Sequence, residues 1–274
     1  MAINCAGNLV NLKTPKIMGI LNLTPDSFYD GGKHKNQKQI IQHTTKMLHE
    51  GADFIDVGAY SSRPQAADVS VKEELNRLLP IINLLKEEFP EILLSVDTFR
   101  SEVAQEAVTA GACLVNDISA GSLDPKMMQV VSKLQVPYSM MHMRGTPKTM
   151  QNNTEYEDLL QEIIFYFTEK IAQARKAGIN DIIIDPGFGF AKTREQNFEL
   201  LQKMTLLKNL EIPILVGLSR KSMIYKTLGN KPEDALNGTS VVNTLALLGG
   251  ASILRVHDVK EAKECVQLYT EFNQ

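Results

Sequence analysis

Short runs rich in isoleucine, valine, leucine and methionine alternate along the chain with longer segments in which apolar residues recur at helical spacing. Continuous apolar runs of this length predict strands buried on both faces, as in a parallel sheet covered by helices. Eight such runs are legible, at 17–22, 54–58, 93–97, 114–117, 138–142, 181–185, 214–218 and 252–256, each followed by a segment able to form a helix. Eight βα units in succession predict an α/β fold, a (β/α)8 TIM barrel with residues 1–274 as a single domain. An open doubly wound sheet has the same periodicity and stays open as the alternative.

Punctuation supports the count. Pro15, Pro90, Pro137 and Pro213 precede the odd-numbered runs, where proline stops the preceding helix or coil. Gly51, Gly111, Gly178 and Gly250 precede the even-numbered runs, placed like left-handed residues just past a helix C-terminus.

Composition then removes several functions. The 274 residues are 43% hydrophobic and 22% charged, which excludes a disordered or fibrous chain. With 29 basic against 32 acidic residues there is no overall field to attract nucleic acid or an anionic membrane. No run approaches the ~18 apolar residues of a membrane span, and the first residues lack the basic start and apolar core of an export signal. Cys5, Cys113 and Cys265 lie far apart with no CxxC pair, so neither a disulfide framework nor a zinc site is expected, and the reading is a reducing cytoplasm.

In a barrel of this type the chemistry gathers at the carboxyl ends of the strands and in the loops after them. Those positions are loaded with Asn22, then Ser61-Ser62-Arg63-Pro64, Asp97, Asn116 with Asp117, His142 with Arg144, Asp185, Ser219-Arg220-Lys221-Ser222, and Arg255 with His257. Helix capping is the competing explanation for any one Asp, Asn or Ser. Asp26, Ser101, Asp117 and Asp258 are read as caps or loop formers. The remainder divides in two. Asp97, Asn116, Asp185 and Lys221 suit a flat heterocycle with donors and acceptors on its edge. Arg63, Arg255 and His257, with amides near Asn22 and Gly31-Gly32, suit a phosphate or diphosphate.

Asp185 to Thr193 (DPGFGFAKT) lacks the spacing of either glycine-rich nucleotide loop, so Gly187 and Gly189 are read as a tight turn beside a ligand. Met140, Met141 and Met143 are read as barrel filling. His34, His43 and His49 lack metal-ligand spacing and are read as solvated or partly packed.

Together these residues resemble the dihydropteroate synthase family over nearly the whole chain. The matching segments are Ile20 to Gly32 (ILNLTPDSFYDGG), Ser61 to Pro64 (SSRP), Ser95 to Thr98 (SVDT), Asn116 to Ile118 (NDI) and Met141 to Met143 (MHM). Asp185 to Phe190 (DPGFGF), Gly217 to Ser222 (GLSRKS) and Arg255 to His257 (RVH) follow in family order. The resemblance implies that Asp97, Asn116, Asp185 and Lys221 hold a dihydropterin ring, and that Asn22, Arg63, Arg255 and His257 bind its diphosphate, with Asn22 also binding Mg²⁺. It implies that Ser62, Pro64, Phe190, Lys221 and Ser222 surround p-aminobenzoate. Asp97, Asp185, Lys221 and Arg63 are the implied catalytic set, in a homodimeric, sulfonamide-targeted transferase of folate biosynthesis that releases diphosphate.

Two departures stand out: Tyr60 and Gln65 replace an acid and a glycine around the second loop, and Ala191 replaces a common glycine. Segments 26–35 and 61–68 are candidate lids. Two other readings remain at this stage, a pterin-binding methyltransferase acting on a corrinoid protein and a catalytically silent pterin-binding subunit.

Overall fold

The computed structural model describes residues 1–23, 33–60 and 69–273. The chain opens with an antiparallel hairpin, β1 (Ala2–Cys5) against β2 (Asn8–Asn11), which the apolar runs do not predict. Its two-residue turn is Ala6-Gly7, both at positive φ (50° and 89°), the geometry that matches strand twist in a tight hairpin.

Eight parallel strands follow: β3 (Lys16–Asn22), β4 (Phe54–Gly58), β5 (Leu94–Asp97), β6 (Leu114–Asp117), β7 (Tyr138–Met141), β8 (Ile182–Asp185), β9 (Leu215–Val216) and β10 (Ile253–Val256). They are hydrogen-bonded in the order β8-β7-β6-β5-β4-β3-β10-β9, and a bridge between Ile184 and Ile214, just ahead of β9, joins the two ends. The sheet is a (β/α)8 barrel, and the open-sheet alternative falls.

The helices are α1 (Lys33–His49), α2 (Val71–Glu88), α3 (Ser101–Thr109), α4 (Met127–Leu134), α5 (Leu159–Ala177), α6 (Arg194–Lys203), α7 (Ser222–Leu228), α8 (Leu236–Leu248) and α9 (Val259–Phe272). Two of them, α7 and α8, separate β9 from β10. Gly51, Gly111, Gly178 and Gly250 all carry positive φ, from 94° to 119°, as their position past a helix end requires. No helix among the described residues is long and apolar enough to cross a membrane.

Strand residues alternate between two destinations. Ile55, Val57, Val96, Val115, Tyr138 and Ile184 join the core between sheet and helices. Met18, Phe54, Leu114, Ile183, Leu215 and Ile253 point into the barrel and pack with Ile3, Cys5 and Leu12. The hairpin thus seals the amino-terminal end of the barrel with an apolar floor. Burying Ile3 and Leu12 there stabilises the floor by about 1.5–3 kcal/mol each.

Some expectations need correcting. Met140 packs outward beneath the helices, whereas Met141 and Met143 do lie together with Ile118 and Met150. Ser101 makes no side-chain cap, and its own N–H is capped by Asp124 Oδ2 at 2.7 Å. Asp258 does not cap α9; both its oxygens bind Arg220, at 2.8 Å each, because a guanidinium fork outcompetes a backbone amide. Asp117 is a loop former as read, accepting from Ser119 N and Gly121 N at 2.7 Å and from Tyr138 Oη at 2.6 Å.

Candidate active site

Above the apolar floor the barrel interior turns polar. Its centre is Asp56 on β4, with no exposed side-chain surface. It accepts from Ser95 Oγ at 2.5 Å, Asn116 Nδ2 at 3.4 Å and Arg255 Nε at 2.6 Å. Arg255 also donates from Nη2 to Asp97 Oδ2 at 2.8 Å, so one guanidinium ties two carboxylates.

Strand register places the next ring of groups. Asn22, Gly58, Asp97 and Asn116 are successive partners across β3, β4, β5 and β6, and Met141 is paired with Asp185 across β7 and β8. Gly58 leaves room here, since a Cβ at that position would crowd the Asp97 Cβ at 3.2 Å. The expected residues from β3, β5, β6, β8 and β10 therefore do share one rim.

Two strands along from Arg255, the segment after β8 folds over Asp185. Gly187 and Gly189 carry φ of 70° and 81°, and a Cβ on Gly187 would lie 2.1 Å from the His142 carbonyl oxygen, so the turn demands glycine. Asp185 Oδ1 accepts the Gly187 N–H at 2.8 Å. Lys221, at the amino end of α7, donates to the Phe188 carbonyl, and its ammonium stands 5.0 Å from the centre of the half-buried Phe190 ring.

Beneath that turn Lys192 is only 4% exposed. Its Nζ lies 3.0 Å from each of the Gly187 and Phe190 carbonyls and from His142 Nδ1. It staples the turn to β7. His142 is an internal prop whose ring packs edge-on against Tyr166 with 4.9 Å between centroids.

Burial and charge tune these groups in opposite directions. Burial pushes Asp97 up to about 7, with Arg255 opposing the rise and Asp56 adding to it. Asp185 is also raised by burial, against the pull of Lys221. Burial brings Lys221 down to about 8 and Lys192 down to about 7, Asp185 resisting in both cases. His142 is held well below its ordinary value by burial and by Lys192, and so stays neutral. Burial opposes the charge on Arg255, but Asp56 and Asp97 more than reverse that and raise it. The well is thus a shielded mixture of carboxylate, amide and ammonium groups with a permanent cation on one wall.

Asn22 is exposed at the top of β3, and Ser222 is exposed as the first residue of α7. His257 is exposed beyond β10, its Nδ1 3.0 Å from Ser219 Oγ. Ser62, Arg63 and Pro64, the Gly31-Gly32 pair, segment 61–68 and residues 26–32 of the first candidate lid lie outside the described residues. Tyr60, at the edge of that second segment, stacks edge-on against Phe99 at 5.0 Å, and the Arg100 guanidinium lies 5.4 Å from the Tyr60 ring centre. Sequence reasoning missed Asp56, Ser95 and the role of Lys192. The usable signal for Asp56 was an acid in the middle of an apolar run, which has to be paired or neutral.

Comparison with known proteins bears on the same residues. A profile of the pterin binding enzyme family matches residues 18–257, from β3 through the end of β10. The dihydropteroate synthase of Escherichia coli (strain K12) is 42% identical over 270 residues, covering 98% of this chain and 95% of that one. The crystal structure of the Yersinia pestis dihydropteroate synthase with a sulfonamide drug superposes with a TM-score of 0.93 at 41% identity, covering 100% of this chain and 99% of the other. The Xanthomonas albilineans dihydropteroate synthase in complex with 7,8-dihydropteroate gives 0.89 at 37% identity, again covering 100% and 99%. A barrel whose polar well fills from the strands that the family profile spans, and which matches these enzymes end to end, belongs to the pterin-binding enzyme family.

Proposed function

We infer that this chain joins (7,8-dihydropterin-6-yl)methyl diphosphate to p-aminobenzoate, releasing diphosphate and 7,8-dihydropteroate, a transferase reaction of folate biosynthesis. The observation that carries the reading is the well itself. Asp97, Asn116, Asp185 and Lys221 line one barrel mouth, with the Arg255 guanidinium beside them and both Asp56 and Asp97 fixing its direction.

The chemistry follows from that arrangement. The methylene C–O bond breaks, the electron pair leaves with diphosphate, and the electron-rich pterin spreads the positive charge left behind. Asp97 and Asp185 favour that cation electrostatically, while Arg255, with Arg63 and His257, accepts the growing negative charge of the leaving group. The neutral aryl amine then forms the C–N bond and sheds its proton. Phe190, Lys221 and Ser222 bind the aminobenzoate on this reading, a role that Ser62 and Pro64 share by their resemblance to the family's second loop.

Asn22 offers Mg²⁺ a hard amide oxygen at the rim, and no cluster of three His, Cys, Asp or Glu competes for the ion among the described residues. That donor set fits an ion held by one or two protein oxygens plus substrate phosphates. When bound, the ion neutralises charge on the diphosphate. A homodimer is supported by exposed Phe198 on α6 and exposed Leu245 and Leu248 on α8, which line a groove of about 720 Å³, with exposed Val241 on the same helix. Three free, buried cysteines accord with a reducing cytoplasm.

A coupled assay for diphosphate release tests the reaction. Release that requires both pterin diphosphate and p-aminobenzoate is the expected result. Pterin binding without any release would point to a silent subunit, and methyl transfer to a corrinoid protein would point to the methyltransferase.

A further inference from the structure

Behind Asp97 lies a polar cluster that the reaction does not use. Glu74, in the first turn of α2, is buried, and both its oxygens are engaged. Thr98 Oγ1 donates to one at 2.8 Å and Arg100 Nη1 to the other at 2.7 Å. Thr98 directly follows Asp97, and its N–H continues the strand pairing to the Asn116 carbonyl at 3.0 Å. Glu74 therefore ties α2 to the carboxyl end of β5 and sets the direction of the Arg100 guanidinium through a charge-assisted bond.

That guanidinium meets two aromatic rings. Its carbon lies 5.4 Å from the centre of the Tyr60 ring and 5.3 Å from that of Phe99, and the rings themselves meet edge to face at 5.0 Å. Both distances are within reach of cation–π attraction, which strengthens as water is withdrawn. All three side chains are half-buried. Phe99 in turn packs with Ile118, Met141 and Met143. One residue before Tyr60, the Ala59 carbonyl accepts from Arg77 Nη1 of α2 at 3.4 Å. The two residues at which the chain leaves β4 are thus gripped by two arginines, and the residues that come next are Ser61-Ser62-Arg63-Pro64. A shift of about 1 Å in a group that positions a substrate costs up to about a hundredfold in rate.

We propose that Tyr60 and Arg100 are positioning residues for the second substrate: the Arg100 guanidinium, aimed by Glu74, pins the Tyr60 ring and so directs the chain that presents Ser62 and Pro64 to p-aminobenzoate. This rests on the condensation inferred for the chain. Asp97 has its own tie to Arg255, so loosening the stack leaves the dihydropterin position alone.

The experiment follows diphosphate release by the full chain and by Tyr60→Phe, Tyr60→Leu, Arg100→Gln and the Tyr60→Leu/Arg100→Gln double variant while p-aminobenzoate is varied. Calorimetric titration of the free pterin alcohol, 6-hydroxymethyl-7,8-dihydropterin, accompanies each. Leucine keeps apolar bulk without a ring face, and glutamine keeps a donor for Glu74 without the charge. The expected result is a KM for p-aminobenzoate raised about 3- to 20-fold by Tyr60→Leu and by Arg100→Gln, with Tyr60→Phe within about twofold of the parent. The double variant should be no worse than the weaker single, because the two act through one contact, and pterin alcohol affinity should hold throughout. A parental KM in Tyr60→Leu overturns the proposal. So does a Tyr60→Phe as weak as Tyr60→Leu, which would move the role to the hydroxyl, or a double variant in which the two losses multiply. Pterin alcohol affinity that falls in step with the KM overturns it too, as a general loosening of the barrel mouth. Should Arg100→Gln not fold, the two Tyr60 variants decide alone. If the parent binds pterin alcohol but releases no diphosphate on addition of p-aminobenzoate, the inferred reaction fails and the positioning role with it; if the parent turns over and Tyr60→Leu is silent, the positioning role alone fails.

Discussion

Replacing Asp56 with asparagine keeps the shape at the centre of the barrel and removes the charge beneath Arg255. Truncating one partner of a buried ion pair costs about 3–5 kcal/mol. Here the carboxylate is fully buried but the guanidinium is 21% exposed and keeps Asp97 as a second partner, which places the loss at about 2–3 kcal/mol. For a chain of this size that corresponds to a fall of about 4–12 °C in thermal midpoint. The second effect has the opposite sense. Asp97 is pushed up to about 7 first by burial, with Asp56 adding repulsion, so removing the Asp56 charge brings Asp97 back toward its ordinary range. A raised folded-state value means that ionising Asp97 drains folding stability as pH climbs from about 4 to about 7, and Asp56→Asn shrinks that drain. On the proposed role pterin binding uses the carboxylate, so parent affinity falls tenfold per pH unit below about 7, and in the variant the fall begins at lower pH. Thermal melts and calorimetric titration of the pterin alcohol between pH 5 and 8 measure both quantities. An acid limb that stays put or moves upward would refute the reasoning, as would a stability loss below about 1 kcal/mol.

Three further outcomes are expected. Lys221, brought down to about 8 by burial, is protonated below that pH and neutral above it, so pterin affinity should weaken on the alkaline side; equal affinity at about pH 9 would remove its charge from the site. Arg255→Ala should cost the diphosphate-bearing substrate about 2–4 kcal/mol and the pterin alcohol only about 1 kcal/mol through the loosened Asp97, and equal losses in competition binding would end its anion role. Leu245→Glu should convert the proposed dimer to monomers in sedimentation experiments, given that Leu245 is 46% exposed on the apolar face of α8; an unchanged mass counts against that interface.

The strands and the rim were legible for one reason: a parallel strand between barrel and helices is apolar on both faces, and its functional group comes at the carboxyl end. Asn22, Asp97, Asn116, Asp185 and Arg255 were all accessible to that rule. The hairpin escaped it because Ile3 and Cys5 are buried while Ala2 and Asn4 are not, leaving no continuous run. Asp56 escaped because it stands mid-strand, and its partner Arg255 lies 199 residues away, a contact no local pattern announces. Asp258 sits where a helix cap would sit, and only the folded chain shows Arg220 arriving from the neighbouring loop. Lys192 was correctly denied a nucleotide-loop role, yet the same residues, read for carbonyls instead of phosphates, describe a staple.

The plugged lower end has a consequence for turnover. With Ile3, Cys5 and Leu12 packed into the bottom, the described residues leave the opposite mouth for reactants and products to pass. On the proposed placement the heterocycle takes the inner position and has to enter before the aminobenzoate closes over it. Kinetics should accordingly display compulsory order, and a compound lodged at the outer position should trap whatever already sits below.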